Sequence, residues 1–158
     1  MAKTAYLSLL IGGLAVLCFS GCARAGLNTP LHNTSGVKYD NAYALCKNGQ
    51  NDKTIEAKIN ELLEKNMKKG NDLEIYCEVT EYVEGNRALR YFVGFGAGRG
   101  KSMTLVKLVD TNTKQQVADF KVEGGLTMGA FGGDSQGMLN ETGETIFKPV
   151  SYTYLRLP

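Results

Sequence analysis

Gly133-Asp134-Ser135-Gln136-Gly137 fits G-x-S-x-G, the turn that presents a nucleophilic serine in α/β-hydrolases. Such a serine attacks only when a histidine takes its proton. The chain has one histidine, His32, and it precedes the serine, whereas the hydrolase order places it after. No strand pattern runs into the pentapeptide, so Asp134 or Ser135 is expected to cap a following helix instead. Gly98-Arg99-Gly100-Lys101-Ser102 ends like a phosphate-binding loop, whose backbone amides wrap the phosphates and which then opens a helix. The glycine needed five residues before Gly100 is Phe95, and Met103-Thr104-Leu105-Val106 reads as a strand. One histidine and widely separated cysteines make no metal-ligand set. Glu78, Glu81 and Glu84 fall on both faces of a strand and do not converge as an acid–base pair. The expectation is a protein with no catalytic residue, metal or cofactor; an exported serine hydrolase using Ser135 is the alternative.

Cysteine chemistry gives a firmer lead. Lys3 is the only charge before Cys22, and Thr4–Ala23 is uncharged and rich in leucine. Phe19-Ser20-Gly21-Cys22 then supplies the small residues a signal peptidase needs before its cut. The segment resembles the bacterial lipobox, whose cysteine becomes the acylated first residue. Residues 1–21 are thus expected to be a signal peptide and Cys22 the lipid attachment. The competing reading is a plain transmembrane anchor, which Gly12 and Gly13 disfavour. Lys3 places the domain outside the cytoplasm in either case. Ala23, rather than Asp, follows Cys22, and by the lipoprotein-sorting pattern that implies an outer membrane, with the domain facing the periplasm. With Cys18 lost and Cys22 acylated, Cys46 and Cys77 remain, and an oxidising compartment permits one disulfide between them. Closing that 31-residue separation stabilises by about 3–4 kcal/mol in the chain-entropy model. Two unpaired thiols, with Cys77 filling the core, are the alternative.

These residues need a scaffold, and composition allows one. The chain has 158 residues, 43% hydrophobic and 22% charged, which suits a globular domain. Beyond Cys22 the charges nearly cancel, so long-range attraction to nucleic acid is not expected. Residues 22–36 are small and polar with no apolar period and read as a tether; residues 37–158 read as one domain. Val37–Gln50 fits a short strand or a turn of helix. Ile55, Ile59, Leu62, Leu63 and Met67 predict a helix over Thr54–Lys69, closed by Gly70. Asp72–Glu84 alternates with period two, Leu73, Ile75, Cys77 and Val79 on one side, and predicts a half-buried strand. Ser102–Val109 and Gln115–Glu123, joined by a polar turn, predict a hairpin. A weak helix is expected over Ser135–Phe147, with Gly137 and Gly143 against it, then an edge strand or frayed end after Pro149. The fold class is α+β, a small mostly antiparallel sheet with helices packed on one face.

Two glycine-rich segments, Gly94–Gly100 and Gly124–Asp134, separate the strands. Phe95, Met128 and Phe131 sit among glycines that cannot shield them, near Arg90 and Arg99. Such loops suit an interaction surface for a protein partner, for self-association or for lipid head groups; the alternative is that the three side chains fold back into the core. The stretch Arg90-Tyr91-Phe92-Val93-Gly94-Phe95-Gly96-Ala97-Gly98, with the later Gly129-Ala130-Phe131-Gly132-Gly133-Asp134, resembles bacterial lipoproteins grouped as domain of unknown function family 4410. The resemblance covers about residues 73–147. It implies a lipid-anchored envelope protein and supplies no catalytic residues. The chain departs from the family at Lys114, where a turn glycine is usual, and in a final helix interrupted by Gly143 and stopped by Pro149. The expected function is a non-catalytic binding or scaffolding role in the envelope.

Overall fold

A computed structural model describes residues 23–29, 31, 33, 35–93, 97–126 and 134–157. The elements run β1 (Ala23–Leu27), β2 (Ala42–Cys46), α1 (Gln50–Asn66), β3 (Leu73–Val83), α2 (Arg87–Phe92), β4 (Lys101–Asp110), β5 (Gln116–Leu126) and α3 (Ser135–Tyr154). The strands form one sheet in the order β1-β5-β4-β3-β2. Three of its pairings are antiparallel, and β2 runs parallel to β3. Parallel neighbours need a crossover, and α1 provides it. The alternation expected of β3 is present: Leu73, Ile75 and Cys77 are buried while Glu74, Tyr76 and Glu78 are half-buried. In register beside them lie Leu108 opposite Ile75, Val106 opposite Cys77, then Phe120 opposite Val106 and Val122 opposite Thr104. The apolar ones among these residues join Ile55, Ile59 and Leu63 of α1 and Leu139, Ile146 and Val150 of α3 in one core. The two long helices touch each other as well as the sheet.

Helix α1 starts four residues before the expected Thr54. Asp52 is the reason: its carboxylate accepts from Gly49 N–H at 3.1 Å and from Val79 N–H at 2.7 Å. The second bond sits at the bulge between Val79 and Glu81, so a buried side chain ties the helix start to β3. The far end closes at Met67, whose N–H donates to Leu63 O at 2.8 Å, and not at Gly70.

Two sequence readings need correction. Part of the stretch read as a tether is folded: Ala23–Leu27 is an edge strand, from Ala23 opposite Leu126 to Leu27 opposite Val122. Its side chains are too small for their alternation to register as a strand pattern. The final helix, expected to stop at Pro149, runs through it to Tyr154. Proline removes one helical hydrogen bond. Tertiary contacts outweigh that loss here: Val150, Ser151 and Tyr154 are buried beyond it. Tyr154 O accepts from Tyr39 N–H at 2.8 Å, and Arg156 N–H returns to Tyr39 O at 2.9 Å. Gly143, also counted against the helix, lies where α3 crosses α1. A Cβ there would come within 2.9 Å of Lys58 Cβ.

Candidate functional site

Cys22 lies outside the described residues, but its neighbour does not. Ala23 opens β1 at one end of the sheet, the end where β4 begins, β5 finishes and β3 runs into α2. Leu126 N–H donates to Gly100 O at 3.0 Å, which holds the start of β4 against the end of β5. The loop glycines are structural here: a Cβ on Gly100 would meet Leu126 Cδ1 at 2.7 Å, and Gly98 turns with φ of 70°. The segment that resembled a phosphate loop therefore runs straight into a strand, with no helix N-terminus to meet an anion. A cleft of about 940 Å³ follows this edge, lined by Arg24 to Asn28, Arg99 to Lys101 and Glu123 to Leu126.

Helix α2, missed by the sequence reading, occupies the same end. Asn86 caps it by accepting from Leu89 N–H at 3.0 Å, an asparagine cap that was available as a signal. Of the five residues expected to form interaction loops, Phe95, Met128 and Phe131 lie outside the described residues. Arg90 belongs to α2, and Arg99 is exposed.

Ser135 sits in the first turn of α3, and it is Asp134 that caps the helix, accepting from Gly137 N–H at 2.7 Å. Both line a cleft of about 670 Å³ with Gln50, Thr54, Tyr82 and Glu84. Its described lining contains two carboxylates, Glu84 and the capping Asp134, and no imidazole. Glu78 and Glu81 point to other partners. Glu78 pairs with Lys47 and accepts from Tyr76, and the Lys47 hydrogen bond holds its carboxyl below the usual range. Glu81 lies 3.5 Å from Lys101. Among the described residues, no three His, Cys, Asp or Glu side chains gather as metal ligands.

Cys46 and Cys77 are joined in a disulfide. They are direct partners across the parallel β2–β3 pair, with Cα atoms 4.4 Å apart, and both are buried. At the opposite end of the sheet, Asp110 organises the β4–β5 turn. It accepts from Asn112 and Thr113 N–H, each at 2.9 Å, and from the Tyr39 hydroxyl at 3.0 Å. Those bonds, the Thr113 amide first, draw its carboxyl below the ordinary value. Lys114 takes a left-handed conformation at φ 60°, in the place where glycine is usual.

The arrangement defines a class: an α+β fold built on a mixed five-stranded sheet. The model of the family described as Domain of unknown function (DUF4410) matches residues 46–130, over half of the chain. The chain belongs to that family. Two crystal structures of the PelC dodecamer from Paraburkholderia phytofirmans, one of a point variant, resemble it at 11% identity. They cover 85% of this chain and 98% and 99% of theirs, with TM-scores of 0.49 and 0.50. A presumed lipoprotein from Caulobacter crescentus CB15 aligns at 13% identity over 70% of this chain and 79% of its own, with a TM-score of 0.40. No curated protein matches the chain.

Proposed function

We propose that this chain is the precursor of an exported lipoprotein: cleaved before Cys22, acylated there, and held in the cell envelope as a non-catalytic binding or scaffolding domain. The observation that carries the reading is the join between motif and fold. Ser20-Gly21-Cys22 ends an uncharged apolar run, and the described fold begins at the next residue, Ala23. A cut before Cys22 removes nothing from the eight described elements. The buried Cys46–Cys77 disulfide suits an oxidising compartment. Among the described residues, which begin at Ala23, no helix is long and apolar enough to cross a membrane. Ala23 after the cysteine favours the outer membrane, with the domain facing the periplasm. Helices α1 and α3 pack on the sheet and on each other, and in this reading the loop end is the surface offered to a partner or to further copies. The PelC dodecamer gives this fold a precedent for assembly from many copies.

The direct test is Cys22→Ser with lipid labelling in cells. Labelling of the unaltered chain should disappear in the variant, leaving uncleaved precursor or soluble protein. Labelling that persists would overturn the anchor at Cys22.

A further inference from the structure

Resting on the lipid attachment at Cys22, we infer that the entry end of the sheet is a membrane seat, with the α2 region lying in the headgroup layer of an anionic bilayer. Three observations meet there. The first is position. Arg24, Gly125, Lys101 and Val83 are successive partners across four strands, a span of about 14 Å at about 4.8 Å per strand. Cys22 is one peptide, about 3.8 Å, from Ala23. With β1 beginning at once, no flexible spacer separates the acyl group from the fold, and this end is held against the lipid surface. Tethering at such short range makes even weak surface contacts persistent.

The second is exposed apolar surface. Of the eight exposed large apolar side chains among the described residues, four fall between residues 83 and 93: Val83, Leu89, Phe92 and Val93. Phe92 is 81% exposed, an unusual state for a phenylalanine facing water. The third is charge. Four of the chain's five arginines fall at this end by their place in the chain: Arg24 in β1, Arg87 and Arg90 in α2, and Arg99 just before β4. Arg24 and Arg99 are exposed, whereas Lys101 is engaged by Glu81 and Glu123. A near-neutral chain thus concentrates its arginines beside its lipid, where apolar side chains can enter the interface and guanidinium groups can meet phosphate.

The chain has no tryptophan, so single substitutions report alone. Mature acylated protein carrying Phe92→Trp is reconstituted in phosphatidylcholine vesicles with and without phosphatidylglycerol, using brominated lipid as quencher. Tyr152→Trp is the control. Tyr152 is exposed at the other end of the sheet, where Lys38 Nζ donates to its carbonyl oxygen at 3.0 Å. The seat predicts blue-shifted emission and quenching several-fold stronger at position 92 than at 152, enhanced by phosphatidylglycerol. Adding Arg24→Gln and Arg99→Gln should abolish the enhancement. Equal, water-like emission at both positions in acylated, vesicle-bound protein would overturn the seat alone. Blue-shifted emission at 92 that brominated lipid does not quench would mean that protein covers the patch, and would also overturn it. Protein without an acyl group, recovered free of vesicles, would refute the anchor and the seat together.

Discussion

Two hydroxyls buried under the sheet show how the residue scale departs from simple apolar packing. Ser102 Oγ and Thr104 Oγ1 are fully buried and have no hydrogen-bond partner among the described residues. Removing an unpaired buried hydroxyl while keeping its shape relieves a desolvation penalty. Thr104→Val should therefore raise stability by about 1 kcal/mol in urea unfolding; a loss instead would mean that an ordered water already satisfies the group. Tyrosines give a second prediction. Burial, then the Asp110 hydrogen bond, pushes Tyr39 up to about 12. The hydrogen bond to Glu74, then burial, pushes Tyr43 up to about 12. Both values lie above the ordinary 10, so the folded chain holds these protons more tightly than the unfolded one. Their contribution to stability is fully present below pH 10 and is lost as pH rises towards 12. Burial first raises Tyr76 and Tyr154 as well, so alkaline titration should show Tyr39 and Tyr43 among a group of late phenols, with near-ultraviolet dichroism collapsing in the same window. Eight phenols titrating together near pH 10 with the fold intact would remove both hydrogen bonds from the account.

At the scale of elements, Gly143 reverses its expected role. A glycine inside a helix costs about 1 kcal/mol against alanine, yet here it lets α3 pass over α1 beside Lys58 and Ile55. Gly143→Leu should destabilise by about 1–3 kcal/mol through overpacking. Thermal unfolding checks it, and an unchanged midpoint would place the crossing elsewhere. The same residue shows what could be read in advance. Helix α1, strands β3, β4 and β5 and the disulfide pair were legible because large apolar side chains repeat at 3.6 or 2 residues, or because few cysteines remained. Helix α3 was legible only to Phe147, since local propensity weighs Gly143 and Pro149 without seeing the core residues Val150 and Tyr154 beyond them. Strand β2 is five residues long and parallel to its neighbour, too short to display a period. Of the candidate site, the cysteine proposed for acylation and the arginines Arg90 and Arg99 were visible in sequence. That they share one end of the sheet depends on the pairing of β1 with β5, which no local pattern encodes.

The whole molecule turns on that edge strand. If residues 23–27 were a spacer, trimming them would change only the distance to the membrane. Paired as β1, they cover the edge of β5 and pack on α3, with Ala25 and Leu27 against the core. A chain that starts at Asn28 loses five register partners and uncovers β5, whose Phe120, Val122 and Leu126 are core residues. Loss of the Leu27 contact and its neighbours should cost about 2–3 kcal/mol. The freed backbone groups of β5 would then be open to pairing with another chain, because an uncovered strand edge is a template for association. Thermal unfolding should show a lowered midpoint, and sedimentation velocity should show concentration-dependent self-association absent from a chain starting at Cys22. Equal stability and unchanged sedimentation for the two lengths would return residues 23–27 to the role of a tether. It would also separate the proposed attachment at Cys22 from the arginine-bearing end of the fold.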